Sequence, residues 1–400
     1  MRQAGFDEQS GHVVGHPQCP RRGSRGHKLR EAAGMTLNPQ SAEMSSTRLY
    51  EAETSPDLIA ERYGLAREAV IDFSLNVNPF GPPPAAVEAA QRACGAIHLY
   101  PDLNYSQLRR ALAARHRVDE GMFFFGAGLD DVIKLILQAW TSAEDDVLVH
   151  LPTFPRYELE ASLRGCRIVA VENAEPELID AGRIENALVA HKPALAFICS
   201  PNNPTGARLT RSEIAQLAEA APETILVVDE ALINPAEVGA VGLVANHRNL
   251  VVLRTFSKYF GIAGMRVGYA IASPDLVAVA EVGRPPFNLA LPSLDAAIAA
   301  LSDREFLARC KATFAEEFAH FLTEIASDPR LKVRGHNANM ILLDLGGRDP
   351  GEAAENLARR GLIVADATSF HGLENDHVLR ISLRSRADND KLIKALKELP

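Results

Sequence analysis

The chain has 400 residues, of which 47% are hydrophobic and 23% are charged, and its 42 basic and 51 acidic residues give a formal charge of −9 at pH 7. This composition is typical of a globular chain with two or three domains, and it excludes collagen-like and wholly disordered proteins. The acidic balance argues against nucleic-acid binding, which needs a basic surface. Because no apolar run reaches the ~18 residues of a membrane-spanning helix, we expect no membrane insertion.

The cysteines are scattered along the chain and form no closely spaced pair. They are Cys19, Cys94, Cys166, Cys199 and Cys310. Isolated cysteines in a long chain indicate reduced thiols rather than a disulfide framework or a zinc site. We therefore expect a cytoplasmic protein without a bound metal.

Residues 1–47 differ in composition from the rest of the chain. They combine several glycines and prolines with a set of basic residues and show no apolar periodicity, so they cannot bury enough apolar surface to fold. We predict a disordered tail. The segment lacks the apolar block of a secretory signal, but an Arg-rich transit peptide stays an alternative, as does a start of translation at Met35 or Met44.

Between residues 76 and 290, short apolar runs alternate with amphipathic segments. The predicted strands cover residues 146–151, 167–171, 194–199, 224–228, 250–255 and 268–272. Apolar residues at helical spacing after Asp130 and over residues 212–220 predict helices between strands. Near-continuous apolar strands that alternate with helices indicate an α/β domain, in which a largely parallel sheet is covered on both faces.

The pattern changes near residue 291. Longer helical stretches at about 293–325, 350–360 and 388–399 flank two predicted strands at 340–345 and 377–383. This arrangement predicts a smaller α+β domain at the C-terminus.

Polar residues follow several predicted strands, at the edge where open α/β sheets bind their ligands. Residues 200–206 read SPNNPTG, with prolines and a glycine that favour a tight turn. Asp229 ends an apolar run, so its carboxylate needs a cationic partner. Lys258 follows the next strand in an apolar neighbourhood, which favours a neutral and nucleophilic amine.

A glycine-rich turn at residues 126–131 leads into a helix, whose free N–H groups suit a phosphate. Each of these features taken alone is most often a loop, a helix cap or a solvated charge. Together, and in this order, they are the parts that hold pyridoxal 5'-phosphate. The cofactor needs a lysine for a Schiff base, an acid for the pyridinium nitrogen, an asparagine for the ring oxygen, and serine and arginine for the phosphate.

The chain resembles the class I and II aminotransferases of fold type I over residues 69–398. The resemblance is carried by SPNNPTG at 200–206, DEA at 229–231, RTFSKYFGIAGMRVGYA at 254–270 and VLRISL at 378–383. The branch it resembles contains the histidinol-phosphate aminotransferases and the threonine-phosphate decarboxylases. The resemblance implies the aspartate aminotransferase-like fold, with a mostly parallel seven-stranded sheet in a large domain and a small α+β domain built from both chain ends.

The resemblance also implies the domain boundaries and the assembly. Residues 48–75 would form an N-terminal arm and part of the small domain, residues 76–290 the large cofactor-binding domain, and residues 291–400 the small C-terminal domain. The family forms homodimers with two shared active sites. Its substrates are an L-amino acid and a 2-oxo acid, and its cofactor is pyridoxal 5'-phosphate.

Roles for individual residues follow from the resemblance, position by position. Lys258 would bind the cofactor and later move the proton at the substrate Cα, and Asp229 would keep the pyridinium nitrogen protonated. Asn203 would hydrogen-bond the ring oxygen. The other implied cofactor ligands are Leu129, Asp130, Phe154, Thr255, Ser257, Arg266 and, from the neighbouring subunit, Tyr100. The implied substrate-binding residues are Arg380, which would grip the α-carboxylate, Asn339 and Asn76.

Two positions depart from the family pattern. The aminotransferase branch usually has a tyrosine after DEA that hydrogen-bonds the ring oxygen, whereas this chain has Leu232. Both branches carry an arginine near residues 362–366, where this chain reads Val-Ala-Asp over the last three positions. Because an acid repels a phosphate, a phosphorylated substrate stays open, with Arg284 and Arg384 as candidate replacements for the missing arginine.

We expect amino transfer from a small L-amino acid to a 2-oxo acid. Decarboxylation of an amino acid or its O-phosphate is the first alternative, and a lyase or cyclase reaction at the same carbon is the second. These reactions differ only in which substrate bond is held perpendicular to the cofactor ring. A non-catalytic regulator is the alternative from another class, but residues 1–47 are too short for the DNA-binding domain of such regulators.

Overall fold

The computed structural model describes residues 55–175, 177–336 and 338–400, all of which belong to one unit of the chain. The tail predicted for residues 1–47 and the first residues of the predicted N-terminal arm lie outside the described residues.

The largest sheet in the described part of the chain has seven strands in the order β2-β8-β7-β6-β5-β3-β4. All the strands of the three sheets are β1 (Ile71–Asp72), β2 (Phe123–Gly126), β3 (Asp146–Leu151), β4 (Arg167–Glu172), β5 (Leu195–Cys199), β6 (Ile225–Asp229), β7 (Leu250–Thr255), β8 (Gly268–Ile271), β9 (Lys332–Gly335), β10 (Met340–Asp344), β11 (Leu362–Ile363), β12 (Ala365–Asp366) and β13 (Val378–Ser382). Within the seven-stranded sheet, β8 runs antiparallel to both its neighbours and the other pairs are parallel. The predicted mostly parallel seven-stranded sheet is therefore confirmed.

Helices cover both faces of this sheet, and other helices pack in the smaller cores. The helices of the described residues are α1 (Pro56–Tyr63), α2 (Pro84–Ala93), α3 (Ser106–His116), α4 (Leu129–Trp140), α5 (Arg156–Arg164), α6 (Ala181–His191), α7 (Arg211–Ala220), α8 (Pro274–Gly283), α9 (Leu291–Ser302), α10 (Arg304–Ile325), α11 (Pro350–Ala358) and α12 (Arg386–Lys397).

Alternate residues of the central strands enter two separate cores. In β6, Leu226 and Val228 pack in a cluster with α2, α3, α7 and α9, whereas Val227 packs in a second cluster with α4, α5 and α8. The residues of β5 and β7 divide between the clusters in the same way. This division follows from the two-residue period of a strand, and burial on both faces explains the near-continuous apolar runs of the sequence.

The register of the parallel strands brings the ends of β5, β6 and β7 close together. Cys199 of β5 lies opposite Asp229 of β6, and Asp229 lies opposite Leu253 of β7. Because neighbouring parallel strands end at the same edge of the sheet, the segments that follow β5, β6 and β7 share one side of the molecule. That edge carries Asn203, Asp229 and Lys258.

A smaller core is built from residues near both ends of the described chain. It contains a four-stranded antiparallel sheet in the order β12-β13-β10-β9, and β1 pairs in parallel with β11. Phe73, which follows β1, shares one core cluster with Phe321 of α10 and Ile381 of β13. Residues from both ends therefore contribute to this core, and the boundaries after residues 75 and 290 stay predictions.

The helical stretch predicted at 293–325 is two helices in the structure. The side chain of Asp303 lies between α9 and α10 and accepts a hydrogen bond from the backbone N–H of Phe306 at 2.9 Å. An aspartate N-cap of this kind starts a new helix, and apolar periodicity does not reveal it. Although we assign residues from 291 onward to the small domain by resemblance, α9 packs through Leu301 in a core cluster of the large sheet.

The sequence does not predict β2. Its three phenylalanines are fully buried, but an apolar run this short, directly before a glycine-rich turn, has no readable periodicity. Among the described helices, none is long and apolar enough to cross a membrane.

Candidate active site

A cavity of about 260 Å³ opens at the polar edge of the large sheet. All but two of the residues implied by the resemblance line it. They are Asn76, Leu129, Asp130, Phe154, Asn203, Asp229, Thr255, Ser257, Lys258, Arg266 and Arg380. They come from segments that are far apart in the sequence, so the fold brings them together.

The amine of Lys258 lies in this cavity, three residues beyond the end of β7. Burial, together with the guanidinium of Arg380, lowers the pKa of Lys258 to about 8, although the carboxylate of Asp229 opposes the shift. A lysine with an ordinary pKa near 10.4 is almost wholly protonated at neutral pH. A pKa near 8 leaves a useful fraction of the amine neutral and nucleophilic.

The low pKa predicts how the cofactor-free protein captures pyridoxal 5'-phosphate. Only the neutral amine attacks the aldehyde, so the capture rate should rise with pH and level off above about pH 8. An ordinary lysine would give a rate that rises until about pH 10.4. Stopped-flow measurement of the visible cofactor band across this pH range checks the expectation. A rate that still climbs steeply above about pH 9.2, halfway between these two values, would contradict it.

Asp229 is a buried carboxylate at the end of β6. Its Oδ2 accepts a hydrogen bond from the Tyr157 hydroxyl at 2.7 Å, and its Oδ1 accepts one from the Ala231 N–H at 2.8 Å. The Tyr157 ring stacks on Phe197 with ring centroids 4.6 Å apart, which fixes the hydroxyl in place. Burial raises the pKa of Asp229. A buried carboxylate is stabilised by a cation, and a protonated ring nitrogen in the cavity would supply one.

The start of α4 forms an anion cradle on another side of the cavity. The N-cap residue Gly128 has φ 88° and provides no side-chain cap, so the first N–H groups of the helix point out without a helical acceptor. A Cβ on Gly128 would lie 2.2 Å from Nη2 of Arg266, so this close approach requires glycine. Thr255 and Ser257 line the same cavity. Free N–H groups, a guanidinium and hydroxyls together suit a phosphate.

Asp130 sits in the first turn of α4 beside this cradle. Its Oδ2 lies 3.7 Å from Nη2 of Arg266, and its Oδ1 accepts a hydrogen bond from Nε of Arg156 at 3.1 Å. The Arg266 side chain is 49% exposed. The carboxylate therefore orients Arg266 at the cradle while the guanidinium stays accessible to an anion.

Arg380 connects the small antiparallel sheet to the loop after β5. Its Nη1 donates to Oδ1 of Asn203 at 2.7 Å, and its Nη2 donates to the carbonyl oxygen of Ser74. Its guanidinium carbon lies 5.7 Å from the centre of the Phe370 ring. A buried guanidinium that faces the cavity is the group that binds a substrate carboxylate through a two-pronged contact.

Two implied site residues lie outside the cavity lining. Tyr100 is 81% exposed and stacks on Phe287 with ring centroids 4.6 Å apart. Asn339 is buried, and its Oδ1 has no hydrogen-bond partner among the described residues. Its neighbours Ala338 and Met340 pack against Leu232, which does line the cavity.

Several further residues that line the cavity have no role predicted from the sequence. They are Ser74, Leu75, Val77, Tyr157, Cys199, Ala231 and Ala263. Leu232, which departs from the family's tyrosine, also lines the cavity. Tyr157 lies in the first turn of α5, and its ring packs edge-on against the ring of Phe154 with centroids 5.6 Å apart. Its hydrogen bond to Asp229 joins residues 72 positions apart, and no local sequence pattern indicates it.

A buried ion pair supports the site from the opposite side of the sheet. Oε2 of Glu230 accepts from Nε of Arg254 at 2.8 Å, and Oε1 accepts from the N–H of Ala240 at 2.7 Å. Glu230 directly follows Asp229, and Arg254 lies four residues before Lys258, so the pair ties the ends of β6 and β7 together.

Removal of one charge of this pair should destabilise the protein strongly. Glu230→Ala leaves the Arg254 guanidinium buried without its carboxylate, which costs about 3–5 kcal/mol. Urea unfolding of the cofactor-free protein, followed by circular dichroism, measures this loss. The exposed Glu223→Ala is the matched control and should change the free energy of unfolding by no more than about 0.5 kcal/mol. A loss below 1 kcal/mol for Glu230→Ala, roughly the worth of an exposed ion pair, would contradict the expectation.

The fold and the cavity define an enzyme that uses pyridoxal 5'-phosphate. The residues present fit this cofactor, because a low-pKa lysine, a buried carboxylate and the anion cradle at the start of α4 surround one cavity. The family described as "Aminotransferase class I and II" matches residues 68–396. The chain belongs to this family and is a pyridoxal-phosphate-dependent aminotransferase.

Similar proteins support this assignment. The chain is 31% identical over 362 residues to a histidinol-phosphate aminotransferase of Methanosphaera stadtmanae, which covers 90% of this chain and 98% of the relative. It is 34% identical over 331 residues to histidinol-phosphate aminotransferase 2 of Archaeoglobus fulgidus, with 82% and 93% covered. The crystal structure of histidinol-phosphate aminotransferase from Sinorhizobium meliloti in complex with pyridoxal-5'-phosphate has a TM-score of 0.78 at 25% identity, with 90% and 96% covered.

The structure of L-threonine-O-3-phosphate decarboxylase from Porphyromonas gingivalis is also similar. Its TM-score is 0.72 at 24% identity, and the match covers 82% of this chain and 98% of that chain. At this identity the likeness shows the shared fold.

Proposed function

We propose that the enzyme transfers the amino group of a small L-amino acid to a 2-oxo acid in the cavity that Lys258 and Arg380 share. The observation that carries the proposal is the position of Arg380. Its hydrogen bond to Asn203 fixes the guanidinium in the cavity, where its charge helps to lower the pKa of Lys258. Both substrates have an α-carboxylate, so one guanidinium serves both half-reactions.

Pyridoxal 5'-phosphate, when bound, supplies an aldehyde carbon that takes the amino group and a ring that delocalises the electron pair left at Cα. Asp229 would hold a proton on the ring nitrogen, and Tyr157 keeps the carboxylate oriented. Asn203 would hydrogen-bond the ring oxygen. The other proposed cofactor contacts are Leu129, Asp130, Phe154, Thr255, Ser257 and Arg266. Because Leu232 has no hydroxyl, polarisation of the ring oxygen depends on Asn203.

Proton transfer at the substrate is assigned to Nζ of Lys258. The neutral amine would remove the proton from the substrate Cα and would deliver it to the aldehyde carbon of the cofactor. Its pKa near 8 suits a general base at neutral pH. Asn76 and Asn339 are the proposed substrate neighbours, of which Asn76 lines the cavity.

The proposed assembly is a homodimer in which each subunit lends Tyr100 to the phosphate site of the other. The exposed stack of Tyr100 on Phe287 supports it, as do the exposed side chains of Ile97 and Leu99 beside it. Large apolar groups clustered on a surface mark interaction sites. A cytoplasmic location fits the described cysteines, which are all free thiols.

Mixed dimers test the shared site. Tyr100→Ala and Lys258→Ala homodimers should each have low activity. Unfolding and refolding them together forms heterodimers with one intact site, which should restore up to about a quarter of the wild-type activity. No restoration, with heterodimers verified by mass, would contradict the contribution of Tyr100 across the interface.

A single-turnover experiment tests the proposed reaction. The purified holoenzyme is mixed with one L-amino acid at a time, without any 2-oxo acid, while the visible band of the cofactor and released CO₂ are followed. Amino transfer converts the cofactor stoichiometrically to its aminated form without CO₂, and a 2-oxo acid then restores the band. Continuing CO₂ release with an unchanged band would replace the proposal with the decarboxylase alternative.

A further inference from the structure

The side-chain amide of Asn288, in the segment between α8 and α9, is the centre of a hydrogen-bond network. Its Oδ1 accepts from the Tyr105 hydroxyl at 2.8 Å and from Nη1 of Arg284 at 3.3 Å. Its Nδ2 donates to the carbonyl oxygen of Phe125 at 3.1 Å and to Oδ2 of Asp131 at 3.2 Å. An asparagine amide has two donor hydrogens and two acceptor lone pairs. These contacts therefore use the whole capacity of the amide and fix its orientation.

Asn288 reaches the anion cradle at the start of α4 through Asp131. The same Oδ2 of Asp131 accepts a hydrogen bond from the N–H of Ala127 at 2.8 Å. Ala127 directly precedes Gly128, the N-cap residue of α4. On the other side of this turn, Phe125 belongs to β2. The amide therefore anchors the first turn of α4 to the end of β2, and these two elements flank the turn that presents the N–H groups of the cradle.

The carboxylate of Asp131 makes this anchor important, because it lies in the first turn of α4, close to the proposed phosphate site. Its neighbour Asp130 lines the cavity, whereas Asp131 does not. The N–H of Ala127 and the amide of Asn288 both donate to one oxygen of this carboxylate and hold it in that arrangement. Without the amide, the carboxylate would lose a donor and could turn toward a bound anion, which it would repel.

The backbone on both sides of Asn288 is also held in place. Phe287 has φ 58°, a left-handed conformation that is uncommon for a residue other than glycine. The N–H of Leu289 donates to the Tyr105 hydroxyl at 3.1 Å, and this hydroxyl in turn donates to Asn288. Strain of this kind persists only where the surrounding contacts determine the backbone, and it is concentrated at functional sites.

We propose that Asn288 is a positioning residue for the phosphate group of pyridoxal 5'-phosphate. Asn288 lies outside the cavity lining, so it acts through Asp131, which fixes the N–H groups of the anion cradle. The inference rests on the proposed cofactor contacts at the start of α4. It predicts that Asn288 contributes to binding of the phosphate group and contributes little to binding of the rest of the cofactor.

Binding of the cofactor with and without its phosphate tests the inference. The dissociation constants of the cofactor-free protein for pyridoxal 5'-phosphate and for pyridoxal are measured by titration of the visible band. Asn288→Ala should weaken binding of pyridoxal 5'-phosphate by at least about tenfold, since the contact with a charged group is lost. Binding of pyridoxal should change by no more than about threefold. An equal change for the two ligands, or no change for either, would overturn the inference.

A second variant keeps the size of the side chain. Asn288→Asp cannot donate to Asp131 and places a second carboxylate beside it, so it should give at least the same selective loss. Circular dichroism verifies that each variant is folded. Asn249→Ala is the matched control, because Nδ2 of this asparagine donates to three carbonyl oxygens just before β7, at the opposite end of that strand from Lys258. Its ratio of the two dissociation constants should stay within about threefold of the wild-type ratio.

A double variant tests the route through Asp131. In an Asp131→Ala background, Asn288→Ala should change the ratio of the two dissociation constants by no more than about threefold, because the shared path is already broken. A further loss of about tenfold in that background would overturn the inference. Absence of amino transfer in the wild-type enzyme would overturn the proposed reaction but would leave these binding ratios unchanged, so the two failures are distinguishable.

Discussion

Replacement of Lys258 by alanine is expected to lower kcat for amino transfer by about 10⁴-fold or more. The amine has two tasks in the proposed reaction, since it bonds to the cofactor and then moves the Cα proton. No other lysine lines the cavity among the residues that the structure describes. Rapid-mixing kinetics with a reactive L-amino acid measure the loss directly.

Two controls separate this effect from a folding defect. Lys311→Ala removes an exposed lysine of α10 and should leave kcat unchanged. Lys258→Arg keeps a cation in the cavity but no nucleophilic amine, so it should be as inactive as the alanine variant. Retention of turnover within tenfold in Lys258→Ala would contradict the assignment of Lys258 as the catalytic amine.

Much of the fold could be predicted because the large sheet is buried on both faces. The strands Asp146–Leu151 and Leu250–Thr255 have the predicted bounds, since double burial makes most residues of such a strand apolar. The candidate residues at those ends could be predicted for the same reason. Parallel strands end at one edge, so residues that follow successive strands meet there.

Contacts across long sequence distances could not be predicted in this way. The hydrogen bond from Arg380 to Asn203 joins residues 177 positions apart, and neither local pattern indicates the other. The packing of Leu232 against Met340 is a similar case, because nothing in the sequence near either residue indicates the other. Only the packing of Met340 against Leu232 and its contact with Asn76 shows that segments from three parts of the chain form one surface.

The prediction with the next largest effect concerns the charge of Asp229. Asp229→Asn keeps the size of the side chain and an oxygen for the Tyr157 hydroxyl, but it removes the negative charge that would hold a proton on the ring nitrogen. We expect kcat to fall by about 10²–10³-fold, the usual loss when one preorganised electrostatic contact is removed from an active site. Single-turnover kinetics measure this fall, and the visible band verifies that the cofactor is bound.

Tyr157→Phe distinguishes the charge of Asp229 from its orientation. This variant removes only the 2.7 Å hydrogen bond to Oδ2 and leaves the carboxylate and the ring stack on Phe197 in place. Loss of one such bond to a charged group is worth about 1.5–3 kcal/mol, so kcat should fall by about 10–100-fold. If Asp229→Asn were as active as Tyr157→Phe or more so, the charge would not matter and the carboxylate would act only as a hydrogen-bond acceptor. A larger loss in Asp229→Asn instead places the electrostatic contribution on the buried charge at the end of β6.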